Sequence, residues 1–135
     1  MGTWNCNQML RGRQRPDTAT TTMGLDGQYM VTHDVAPVFD QYRTRPQVSD
    51  SYMTYNPATH MWVTLYVDNF GGYSLGTSPG WQGNTLTTNT TTTNDGTKIT
   101  DVLTKVSDTQ TTDDAVATTP DGRTVRSQIT CTKSG

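Results

Sequence analysis

The chain has 135 residues, a formal charge of −2 and a mean hydropathy of −0.67. That length suits one domain spanning residues 1–135 and leaves no room for a second sizeable core. The 10 Lys and Arg face 12 acids, all of them Asp, so a large basic surface is excluded and nucleic acid is not an expected partner. No apolar run approaches the ~20 residues of a bilayer-spanning helix, so no membrane span is expected. Thr supplies 29 residues against 5 Ala and 6 Leu, which disfavours long helices and favours sheet. A hydrophobic content of 31% raises the question of disorder, but three Trp and six Tyr set in alternating segments argue for a folded chain.

Turn dipeptides divide the chain into extended runs. The first run, 2–9, carries Trp4 and Cys6 on one face. Residues 10–17 read as a basic connection, with Arg11, Arg13 and Arg15 at every second position. Runs 18–23 and 28–34 flank Asp26-Gly27. Residues 35–49 form a longer connection with Pro37, Phe39, Asp40, Tyr42, Arg43, Arg45 and Pro46. Its length suggests a lid with room for a short helical turn. Runs 50–56 and 61–68 follow, joined through Asn56-Pro57. In the second of these, Met61, Val63, Leu65 and Val67 share one face, and Trp62, Thr64, Tyr66 and Asp68 the other. Both faces carry apolar side chains, so the outer one is expected to meet a loop or a second copy, which would make a homodimer.

The remaining runs, 73–77, 84–93, 97–107, 111–118 and 123–132, are punctuated by Gly71-Gly72, Pro79-Gly80, Asp95-Gly96 and Asp121-Gly122. The Thr-rich stretch 85–93 fits an exposed edge or a twisted barrel strand. In the last run Val125, Ser127, Ile129 and Cys131 alternate with Thr124, Arg126, Gln128 and Thr130. The pattern is an antiparallel meander of eight to ten strands. Cys6 and Cys131 can both lie on the apolar side of terminal strands that pair with each other. They are either a disulfide or two buried thiols, and closure of the first strand on the last would remove exposed edges. A disulfide would imply a secreted or periplasmic protein. The direct opening on Met1 is then expected if an initiator Met has replaced a signal peptide.

Gly2-Thr3-Trp4 resembles the Gly-X-Trp opening of lipocalins and related calycin barrels. The hairpin Tyr55-Asn56-Pro57-Ala58-Thr59-His60-Met61-Trp62, then Val67 to Tyr73 and Ser78 to Gly83, resemble bacterial lipocalin-like proteins of unassigned function. The resemblance implies an all-β, antiparallel up-and-down barrel of eight to ten strands around a cavity. Haem-binding nitrobindin-like barrels of the same neighbourhood use an axial histidine near the C-terminal strands. Here the only histidines are His33 and His60, and no haem, metal or other cofactor is expected.

Aromatic walls with a few hydroxyls suit small, flat, amphipathic ligands. Trp4, Tyr29, Tyr52 or Tyr55, Trp62 and Tyr66 are therefore candidates for lining the cavity, alongside the alternative that they simply fill it. His33 is a candidate at the barrel mouth, as a ligand contact or as the proton acceptor of a barrel enzyme of isomerase, cyclase or hydrolase type. Asp34 cannot orient its ring, because adjacent strand residues point to opposite faces. Asp113 and Asp114 diverge for the same reason and read as surface charges. The expected function is binding of a small hydrophobic or aromatic molecule, with residues 35–49 as the gate. Self-assembly through the 61–67 face is the structural alternative.

Overall fold

Alternating β-branched residues and closely spaced turns favour strands over helix along this chain. The computed structural model describes residues 1–38 and 44–135, and those residues form strands and turns alone. The strands are β1 (Gly2–Leu10), β2 (Arg13–Gly24), β3 (Tyr29–Ala36), β4 (Gln47–Asn56), β5 (Met61–Asp68), β6 (Tyr73–Ser78), β7 (Trp81–Gln82), β8 (Thr85–Thr93), β9 (Lys98–Lys105), β10 (Gln110–Thr118) and β11 (Thr124–Lys133). Each long strand pairs antiparallel with its sequence neighbour, and β1 pairs with β11. An added β6–β8 pairing completes the circle, so ten strands close into a barrel and the two-residue β7 folds back on β8. The closed up-and-down barrel is the expected architecture. The Thr-rich run is β8, a wall strand between β6 and β9.

Two seams close the ring. At the first, Cys6 and Cys131 are direct cross-strand partners with Cα atoms 4.0 Å apart, joined as a disulfide. At the second, β6 and β8 shift register between Leu75 and Gly76. A Cβ on Gly76 would stand 2.9 Å from the Thr88 methyl and 3.2 Å from the Asn89 carbonyl, so only glycine lets the two backbones approach.

The segment read as a basic connection, 10–17, is corrected by the structure. β1 and β2 are one hairpin with a two-residue turn, Arg11-Gly12, both at positive φ (50° and 75°). That geometry follows the right-handed twist of the strands, and asparagine or glycine usually supplies it. A long side chain there costs about 1 kcal/mol. The spacing of Arg11, Arg13 and Arg15 is thus a strand alternation interrupted by a turn. The connection after Ala36 is shorter than expected, since β4 already begins at Gln47. Phe39, Asp40, Tyr42 and Arg43, with the expected helical turn, lie outside the described residues.

Candidate functional site

Directly opposed residues in a ladder share a face. Starting from buried Cys6, the registers therefore fix the lumen-facing set around the ring. Cys6 leads to Asp17, Ala19 to Asp34, Asp34 to Ser49, and Ser51 to Tyr66. Trp62 leads to Ser78, Thr88 to Asp101, and Asp113 to both Leu103 and Ile129. Many of these positions are small: Ala19, Thr32, Ala36, Ser49, Ser51, Ser74, Gly76, Ser78, Ala115 and Ala117. Eight strands already enclose room for packed side chains, and ten strands with small inward residues enclose more. Among the described residues buried side chains are accordingly few, namely Cys6, Ala19, Ala36, Leu86, Ser49 and Ser78. Trp4, Trp62 and Tyr66 are only half-buried.

The lumen has two unlike ends. Trp4 lies near the start of β1, Tyr55 near the end of β4 and Trp62 near the start of β5, so these rings gather at the end that holds the chain termini. Tyr55 meets Trp62 edge-on with ring centroids 5.5 Å apart. Gly80, at φ 99°, lies over the indole: a Cβ there would stand 3.1 Å from Trp62 Nε1. Lys133, the cross-strand partner of Trp4, sits 5.8 Å from the Trp4 ring centre. Towards the other end runs a polar chain. Arg15 Nη2 donates to Gln47 Oε1, Gln47 Nε2 donates to Tyr66 Oη at 3.2 Å, and Tyr66 Oη donates to Asp68 Oδ2 at 3.1 Å. Asp68 is held in turn by the backbone N–H groups of Phe70 and Gly72, at 2.8 and 2.9 Å. Burial and the Asp68 charge push the Tyr66 hydroxyl up to about 12.

Between the two ends lie four carboxyl groups in two diagonal pairs, Asp17 with Asp34 and Asp101 with Asp113. Burial, then the neighbouring Asp17 charge, pushes Asp34 up to about 6. Burial, then Asp101 and Asp114, pushes Asp113 up to about 7. Burial also raises Asp17 and Asp101. A carboxyl group raised in this way keeps its proton to higher pH than an exposed one, and while protonated it donates a hydrogen bond that a carboxylate cannot. Asp113 and Asp114 do diverge, but only Asp114 is on the surface, which corrects the reading of both as surface charges. The missed signal was parity: Asp101 alternates in phase with Ile99 and Leu103, and Asp113 with Ala115 and Ala117.

The remaining expected site residues face outward. His33 is out of phase with buried Ala36 and lies on the outer wall, where its Nδ1 and Asp50 Oδ1 are 2.7 Å apart and the two side chains are 50% and 37% exposed. Its partner is the cross-strand Asp50, not the adjacent Asp34. Tyr29 faces outward too, opposite Gly24. Both expectations of a lumen contact are corrected by one fact: Met30, Thr32, Asp34 and Ala36 hold the inward phase of β3. Tyr52 is outward as well, and of the Tyr52/Tyr55 pair Tyr55 shares the lumen phase.

No family model and no curated protein matches the chain. Among solved structures, it is similar to an S-type phycobiliprotein lyase from Guillardia theta, with a TM-score of 0.70 at 9% sequence identity, covering 100% of this chain and 88% of that one. The fold is therefore a lipocalin-like, calycin-type barrel.

Proposed function

We propose that the chain binds a small hydrophobic or aromatic ligand in its lumen, with the body of the ligand between Trp4, Tyr55 and Trp62 and its polar atoms towards Tyr66 and the Asp34 and Asp113 carboxyls. One observation carries this reading: a closed ten-stranded wall whose inward rings stay half-exposed, where a purely structural barrel would fill its interior. The Cys6–Cys131 disulfide supports a working place outside the reducing cytosol, secreted or periplasmic. The Gly2-Thr3-Trp4 opening and the Trp62 hairpin support kinship with bacterial lipocalin-like proteins. The enzyme alternative loses its named proton acceptor, because His33 lies on the outer wall.

The test is titration with the uncharged probe N-phenyl-1-naphthylamine, followed by probe fluorescence and by thermal midpoint. Binding should raise the midpoint by mass action, and Trp62→Ala should weaken it about ten-fold, the loss of ~1.4 kcal/mol of ring contact. Absence of binding by this probe and by a panel of aromatic acids at millimolar concentration would refute the reading.

A further inference from the structure

The β1–β11 ladder stops at Leu10↔Ser127, although β11 begins three residues earlier at Thr124. Beyond that point the β1–β2 hairpin tip and the β10–β11 end part, leaving a notch of about 450 Å³ lined by Arg11, Thr119, Arg123, Thr124, Val125 and Arg126. Arginine 11 and Arg126 also border the adjoining hollow beside Asp114 and Gln128. The acids nearby are already engaged: Asp121 by Arg123 and Thr119, Asp114 by Gln128 at 2.9 Å. Among the described residues neither Arg11 nor Arg126 has an ion-pair partner. Arg11 occupies a positive-φ turn position that asparagine or glycine fills without strain.

The wider charge distribution agrees. The six described arginines, Arg11, Arg13, Arg15, Arg45, Arg123 and Arg126, all belong to the barrel end where β1 finishes and β11 starts. Asp68 and Asp95 at that end are turned into their own turns, by the Gly72 N–H and the Thr97 N–H. A chain of net charge −2 thus presents one basic end. Val125, which also borders the notch, alternates in the lumen phase.

We propose that this notch binds the sulfonate, phosphate or carboxylate head of an organic anion, with Arg11 and Arg126 as the ligating pair and Arg123 beside them. Guanidinium forks match such groups through paired N–H donors, and two of them bordering one notch, one from a turn and one from a strand, favour an anion over a neutral isostere. The head-group site stands on the notch alone; only the placing of the ligand's body rests on the lumen reading.

The experiment compares 8-anilinonaphthalene-1-sulfonate with uncharged N-phenyl-1-naphthylamine on the wild type and on the Arg11→Ala/Arg126→Ala variant. The sulfonate should weaken about ten-fold in the variant while the neutral amine is unchanged, and 0.5 M NaCl should narrow the difference. Equal affinities in both proteins, or equal losses for both probes, overturn the proposal. If neither probe binds, the lumen reading has failed, and inorganic phosphate decides the notch. Amide shifts at Arg11, Gly12 and Arg126 that appear in the wild type and vanish in the variant support it; none at 50 mM phosphate overturns it. The hairpin variant Arg11→Asn keeps the turn and should lose sulfonate affinity without losing thermal stability.

Discussion

The inner and outer walls of this barrel both mix polar and apolar side chains, but they treat charge differently. Inside, Asp17, Asp34, Asp101 and Asp113 share a phase with Leu86, Ile99, Leu103 and Ile129 as well as with serines and threonines, while the outer wall of β3–β6 carries a continuous row, Val31, Tyr52, Leu65 and Leu75. Leu65 and Leu75 are 38% and 39% exposed, and Asp113 is among the more deeply placed charges. Hydrophobic periodicity reports which residues share a face, and closure of the sheet decides which face is inside. A barrel lined by many small inward residues does not need a wholly apolar inner face. The carboxyls make the same point. In the exposed turns, Thr97, Lys105 and Thr119 respectively hold Asp95, Asp108 and Asp121 below the usual range, whereas the lumen raises its four.

If no packed interior holds the β1–β11 seam, the disulfide must carry much of it. Cys6 and Cys131 are 125 residues apart, and in the chain-entropy model closing such a loop stabilises by roughly 4–5 kcal/mol. Reduction, or Cys6→Ser with Cys131→Ser, should lower the calorimetric midpoint by on the order of 10–20 °C. A fall below about 5 °C would mean that the ladder alone secures the seam. The next effect separates the walls directly. Leu86 is 6% exposed and meets Leu103 across the inner face, so Leu86→Ala should cost about 2–4 kcal/mol in urea unfolding. Leu65→Ala on the outer wall should cost about 1 kcal/mol or less. Equal costs would break the contrast between the walls.

Asp113 supplies a smaller and pH-dependent effect. Its raised value means that the folded state holds the proton more tightly than the unfolded chain does. The stability so conferred is present at low pH and is lost as pH rises from about 4 through about 7. Asp113→Asn should remove that slope and stabilise the barrel at pH 8 by on the order of 2 kcal/mol. The check is a set of urea midpoints from pH 4.5 to 8. Parallel profiles for variant and wild type would place Asp113 in ordinary solvent.

The strand order and the Cys6–Cys131 pairing were legible because both rest on local alternation and on two residues that share a phase. The lumen was only partly legible. Trp62 and Tyr66 were found from ring content, and Trp4 from its strand. Asp17, Asp34, Asp101 and Asp113 were not, since a carboxyl in an apolar phase looks like noise until the ring is closed. Arg15 and Gln47 meet across β3 only because that strand ends at Ala36, a tertiary fact with no sequence signature. Arg11-Gly12 was hidden by an arginine standing where asparagine usually announces the turn.

His33 gives the smallest effect and the most direct test of facing. A histidine next to Asp34 invites a catalytic reading, but the strand sends the two side chains through opposite walls, and the ring pairs instead with Asp50 in solvent. An exposed pair of this kind contributes roughly 0–1 kcal/mol, so His33→Ala should shift the urea midpoint by less than that. A double-mutant cycle with Asp50→Ala should return a coupling of similar size. Affinity for N-phenyl-1-naphthylamine should not change, whereas Trp62→Ala reduces it. A variant at His33 that bound ten-fold more weakly at unchanged stability would put the ring in the lumen, reverse the phase of β3, and carry Asp34 to the outside with it.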